Sequence, residues 1–194
     1  MPRLTPASAA KRRQHIIEAA MRCFRGQGFI ATSVDDICAE GAISKGAFYS
    51  HFPGKEHLVH AIADVLAGNP GPLDSSSVAA LTASILERRR LPAAREASRT
   101  FAFEMIAASF SDPVLHQRLL AHLDATQRDV ESAIADLIAA GLARPDCDAG
   151  AAAAIIQSCL LGSFTDAAIR HADRPDEVGA AVARLLQALV APAG

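Results

Sequence analysis

Apolar residues recur three and four positions apart through most of the chain, with polar residues filling the intervals. Between Ala10 and Arg25, the residues Ile16, Ile17, Ala20, Met21 and Phe24 mark one face of a helix, with Lys11, Arg12, Arg13 and Arg22 around it. Gly26-Gln27-Gly28 ends that helix. Thr32-Ser33 followed by Asp35-Asp36 offers a capping hydroxyl with an acid three residues on, which predicts a short second helix over Val34 to Glu40. Gly41-Ala42-Ile43 makes a turn, Ser44 caps a third helix over Lys45 to His51, and Pro53-Gly54 breaks it. A fourth helix starts near Lys55 and carries Leu58, Val59, Ile62, Val65 and Leu66 on its apolar side. The cluster Gly68-Asn69-Pro70-Gly71-Pro72 ends it and is the best domain boundary, dividing the chain into residues 1–67 and 68–194. Beyond it the same spacing predicts helices near 75–90, 93–110, 113–141, 148–171 and 175–190, and no internal repeat.

Composition strengthens the all-helical reading. Alanine accounts for 42 of 194 residues, against 12 glycines, no Trp and one Tyr, and alanine is the best helix former. Alternating β-branched runs and Asn-Gly or Asp-Gly hairpin turns are missing, which argues against sheet-based enzymes. The expected class is all-α, a short-helix N-terminal domain followed by a larger helical domain.

The net charge of −2 conceals an asymmetry. Residues 1–60 hold eight Lys and Arg against five Asp and Glu, net +3, and the remainder eleven against sixteen, net −5. A basic head on an acidic body is the balance of a small nucleic-acid-reading module joined to a sensor or dimerisation domain. The four cysteines are widely spaced, so neither a zinc site nor a disulfide framework is indicated, and no metal or cofactor is expected. Residues 1–13 lack the apolar core of a secretory signal, and the stretch Ala149 to Thr165 is too short and polar for a membrane span. A cytoplasmic protein with no membrane partner is expected.

The segment Thr32 to Lys55 carries the chemistry. Two short helices joined by a tight Gly-containing turn form a helix-turn-helix, whose second helix enters the major groove. Its first residues must be small or polar so that backbone and donors approach the bases, and Ser44, Lys45, Gly46 and Ala47 meet that demand. Phe24, Phe29, Phe48 and Phe52 fall at core spacing and are not site candidates. From Lys11 to Ile62 the chain resembles the DNA-binding domain of the TetR family of bacterial repressors. The likeness is carried by Ala19-Ala20, Phe24, Gly28-Phe29, Thr32-Ser33-Val34, Ile37, Ser44-Lys45-Gly46, Phe48-Tyr49, Phe52 and Lys55-Glu56. It implies base reading at Lys45, Gly46 and Ala47 beside the capping Ser44, and phosphate contacts at Ser33, Tyr49, His51 and Lys55. It further implies a homodimer on a palindromic double-stranded operator, released by a ligand bound in each C-terminal domain. The sequence departs from the family pattern at the turn, where Ala42 stands in place of glycine and Gly41 precedes it.

The C-terminal helices place Phe101, Met105, Phe110, Leu119, His122, Leu160 and Phe164 as candidate pocket liners, and a mostly apolar lining favours a hydrophobic small-molecule effector. The last two helices are small-rich and apolar on broad faces, which a monomer core could also use, and the resemblance implies that they form the dimer interface. Two other classes compete. An enzyme using Cys159, His122 or His171 and Asp166 lacks a nucleophile elbow, metal-spaced histidines or a phosphate-binding loop. A helical adaptor that binds no DNA is separated from a DNA reader by salt-dependent duplex affinity.

Overall fold

The computed structural model describes residues 6–66, 71–90, 99–170 and 175–191. Those residues form nine helices and no strand: α1 (Pro6–Ala31), α2 (Val34–Glu40), α3 (Lys45–Tyr49), α4 (Lys55–Leu66), α5 (Val78–Arg90), α6 (Arg99–Ser109), α7 (Pro113–Ala139), α8 (Ala149–Ile169) and α9 (Pro175–Leu189). Local chemistry sets several of the starts. Ser77 Oγ accepts the Ala80 amide, Asp112 Oδ1 accepts the amides of Val114 and Leu115, and Asp148 Oδ1 accepts that of Ala151. Pro6, Pro113 and Pro175 occupy first helical positions, where a missing N–H costs nothing.

Two expectations shift. α1 does not stop at Gly26 but runs to Ala31 across a break at Gly28, whose φ of 81° and ψ of 168° suit glycine alone. α3 ends at Tyr49, two residues before the expected His51. The first part of the helix expected over 93–110 lies outside the described residues.

The chain divides into two compact units, and the division departs from the sequence boundary. One unit comprises Met1–Gly68 and Pro92–Leu119, the other Asn69–Leu91 and Leu120–Gly194. In the first, Ile16, Ile17, Ala20 and Phe24 of α1 share a core with Ile37, Phe48, Phe52, Leu58 and Ile62, and with Phe101, Met105 and Leu115 from beyond the linker. Phe24 stacks on Phe101 with ring centroids 5.0 Å apart and planes 25° apart. This aromatic contact ties α6 to α1, a long-range pairing that punctuation residues do not record. In the second unit, Leu81 and Ile85 of α5, Val130, Ile134 and Leu137 of α7, Ala153 and Ile156 of α8 and Val182, Leu186 and Val190 build a separate core. Cys38 is buried and the other three thiols are half-buried and free. Burial is the main cause that pushes the thiols of Cys23, Cys38 and Cys147 above their ordinary range.

Candidate nucleic-acid interface

The reading helices are defined by their caps. At α2, Ser33 Oγ accepts the Asp36 amide at 3.1 Å while Asp36 Oδ2 accepts the Ser33 amide at 2.7 Å, a complete capping box. That backbone hydrogen bond from Ser33, ahead of the one from its hydroxyl, holds the Asp36 carboxyl below its ordinary range. At α3, Ser44 Oγ accepts the Ala47 amide at 3.2 Å, which satisfies one of the orphan donors of a helix only five residues long.

The turn between them solves a packing problem. Gly41 is buried with a right-handed backbone (φ −86°), and a Cβ there would meet the Ala19 Cβ at 3.0 Å and the Ile37 carbonyl oxygen at 3.3 Å. Glycine is therefore needed at 41 for close approach to α1. The left-handed step falls on Ala42 instead, at φ 49°. The Gly41 carbonyl accepts a hydrogen bond from His15 Nε2 at 2.8 Å, which fastens the turn to α1.

The exposed face of α3 carries Lys45, Gly46 and Tyr49. The Lys45 side chain is 64% exposed and its Nζ lies 2.8 Å from Asp35 Oδ1 on α2. That hydrogen bond, with the accompanying charge attraction, raises the Lys45 ammonium above its ordinary range. Gly46 stands in open space: a Cβ there would approach only Ser44 Oγ, at 4.0 Å. Packing within the chain does not require glycine at 46. Tyr49 is 54% exposed and meets Phe48 edge-on at 5.3 Å. Ala47 is half-buried, so it lies at the edge of this face.

Three other candidates stand differently. The Ser33 hydroxyl is committed to the α2 cap. His51 is half-buried beyond the end of α3, with its Nε2 buried and without a hydrogen-bond partner. Lys55 turns inward rather than out: its Nζ donates to the carbonyls of Phe29 at 2.9 Å, Ile30 at 3.1 Å and Thr32 at 2.8 Å, and sits 4.6 Å from the Phe29 ring centroid. All three ammonium protons thus have partners within the chain. Arg13 is not among the sequence candidates. Its guanidinium lies 5.0 Å from the Phe52 ring centroid, just past α3, and Lys11 and Arg12 are exposed on the same turn of α1. The basic run was visible in sequence; its placement near α3 depended on the fold.

A scan against family models matches residues 16–62 to the bacterial regulatory proteins of the tetR family. Residues 16–62 are thus similar to that family's proteins. Among curated relatives, the HTH-type transcriptional regulator AcrR of Shigella flexneri is 36% identical over 74 residues, 38% of this chain and 34% of that protein. TtgR of Pseudomonas putida is 41% identical over 66 residues, 34% of this chain and 31% of that protein. The matched stretch therefore spans about a third of each of these relatives. Over nearly the whole chain, Salmonella enterica GusR has a similar structure, with a TM-score of 0.69, 26% identity and coverage of 97% of this chain and 98% of that one. The all-helical TetR-like fold thus extends past the matched domain.

The candidate pocket liners divide. Phe101 and Met105 are buried core of the first unit and Leu119 packs on that core. Phe110 is 83% exposed in the turn after α6. His122, Leu160 and Phe164 are half-buried in the second unit, where desolvation lowers the His122 imidazole below its ordinary value. Among the described residues, no helix is long and apolar enough to cross a membrane and no group of three or more ligand-type side chains is arranged to hold a metal ion.

Proposed function

We propose that the chain is a DNA-binding transcriptional regulator, a homodimeric repressor of a palindromic operator that is released by a small-molecule effector. The observation that carries this reading is the exposed face of α3: a capped short helix with Lys45 outward, Gly46 open to close approach and Tyr49 beside it. The N-terminal likeness to the TetR family and to curated transcriptional regulators supports it. Lys45, Gly46 and Ala47 read base edges, Ser44 holds the start of the reading helix, and Tyr49 contacts phosphate with Ser33 and His51 at the margin.

The functional boundary lies near residue 67, with 1–67 as reading head and 68–194 as effector and dimerisation region. Dimerisation through α8 and α9 has a physical basis. On α8, the exposed positions Ala151, Ile155, Ser158, Gly162, Thr165 and Ile169 follow one another at intervals of four and three, with Ile155 45% and Ile169 74% exposed. A small and apolar stripe of that period suits a second helix pair. The effector is a hydrophobic small molecule bound near His122, Leu160 and Phe164; SmeT, a neighbour in fold at a TM-score of 0.70 and 20% identity, is described in complex with triclosan. Filling the site changes the spacing of the two reading helices, so that they no longer fit successive major grooves about 34 Å apart. The protein works in the cytoplasm and catalyses no reaction.

Selection of bound duplexes from a random pool by the purified chain at near-physiological salt tests this reading. The expected result is an enriched palindrome with half-sites about one helical turn apart. No enrichment, at low salt as well, favours a helical adaptor and overturns it.

A further inference from the structure

The break in α1 is held from both sides. On its amide side, Glu104 of α6 accepts the Phe29 N–H at Oε2, 2.5 Å away, and the Ile30 N–H at Oε1, 3.4 Å away. On its carbonyl side, Lys55 of α4 donates to Phe29, Ile30 and Thr32. Between them, Thr32 Oγ1 donates to the Gly28 carbonyl at 2.6 Å. Gly28 makes room for the carboxylate: a Cβ there would stand 3.0 Å from Glu104 Oε1 and 3.2 Å from Oε2. Glycine is needed at 28 for its backbone, and its bare Cα leaves the carboxylate this room.

The last turn of α1 after the break is a separate helical start, and a carboxylate from another element serves as its N-terminal cap at the Phe29 and Ile30 amides. The same turn leads through Thr32 into Ser33, the cap of α2, and α2 carries α3 through the buried Gly41 turn. The aromatic series Phe29, Phe24 and Phe101 runs parallel to the polar contacts, with centroids 5.3 and 5.0 Å apart. α6 therefore reaches the segment from which the reading helices hang through one charged side chain and one aromatic stack.

We propose that Glu104 is a positioning residue for DNA binding: its carboxylate, opposed by Lys55, fixes the Gly28–Thr32 junction and so the orientation in which α2 and α3 meet the duplex. A displacement of α6 that withdraws the carboxylate leaves the Phe29 and Ile30 amides without their acceptor and releases the junction. The proposal rests on the DNA-binding reading, and the experiment separates the two.

Glu104→Gln, Glu104→Leu and Lys55→Gln are compared with the unaltered full-length chain by amide hydrogen exchange and by binding to duplexes selected from the random pool, across a range of salt. Glu104→Leu is expected to speed exchange at Phe29 and Ile30 and onward into α2 and α3, and to weaken DNA binding by roughly tenfold, the scale of a lost cap. Glu104→Gln, which keeps an acceptor but not the charge, is expected to restore part of both effects. Its salt slope should match the unaltered chain, because no phosphate contact is lost. Lys55→Gln is expected to do likewise; a shallower slope would mean that Lys55 touches phosphate and would overturn the clamp. Unchanged exchange at residues 29–33 in Glu104→Leu overturns the proposal with no reference to DNA. Faster exchange with unchanged affinity, where the unaltered chain binds, overturns the link to recognition. Absence of any binding by the unaltered chain sinks the DNA-binding reading and with it the positioning role, while the exchange data still decide whether α6 holds the junction.

Discussion

Ala42 is the one described non-glycine residue with a positive φ, and it sits in the turn that sets α3 against α2. A left-handed alanine costs about 1–2 kcal/mol, while glycine in the unfolded chain is freer by about 0.4–1 kcal/mol. The first term wins, so Ala42→Gly is expected to stabilise the protein by about 0.5–1 kcal/mol, seen as a higher denaturation midpoint at unchanged slope. The neighbouring Gly41→Ala goes the other way, because the new methyl meets Ala19 and the Ile37 carbonyl. A stabilised Gly41→Ala variant would show that the turn does not pack as described. Gly46 completes the contrast. Open space surrounds it, so Gly46→Ala is expected to keep or raise stability by up to about 1 kcal/mol while weakening duplex binding. Unchanged affinity would remove the close-approach role. Of these glycines, sequence marked Gly46 as suited to close approach and Gly41 as out of place, but what each one does depended on what lay opposite its Cα.

At the scale of elements, α2 depends on a box whose acid titrates. Hydrogen bonds from Ser33 hold the Asp36 carboxyl below the ordinary carboxylate value of about 3.9. A group with a depressed folded pKa contributes stability that is present above its unfolded value and lost as pH falls through the folded one. Asp36→Asn is therefore expected to be less stable than the unaltered chain at neutral pH, with the gap closing as pH falls below about 4. Equal stability at both ends of that range, followed by thermal melts, would show that the box adds nothing. The box was legible because Ser33 and Asp36 are local, three residues apart. The engagement of Lys55 was not, since its three acceptors lie 23 to 26 residues away, at the end of α1 and in the loop after it.

For the whole molecule, the first unit is not the first stretch of chain. Phe101, Met105 and Leu115 complete the core around Phe24, so a fragment of residues 1–67 is expected to be largely unfolded, or to melt far below the intact chain, by circular dichroism. Phe101→Ala in the full chain should cost about 3–5 kcal/mol. A cooperative, equally stable fragment would show that α6 and α7 are dispensable to the head. The exposed stripe of α8 makes a second demand at this scale. Ile155→Glu is expected to convert a dimer into monomers by light scattering, and to make the melting temperature less dependent on concentration. A chain that is monomeric before the change would rule out that interface.

What the sequence determined by itself was whatever short-range chemistry specifies: the helical class, the serine and aspartate caps, the breaks at glycine and proline, and the outward face of α3. Those features rest on residues within a turn or two of each other, where spacing alone fixes geometry. Tertiary structure decided the rest. It joined α6 to the head, sent Lys55 inward to three carbonyls, put Glu104 against Gly28, and drew Arg13 to Phe52. Each of those outcomes pairs side chains far apart in the chain, and the alanine-rich periodicity that predicts every helix says nothing about which two helices will meet.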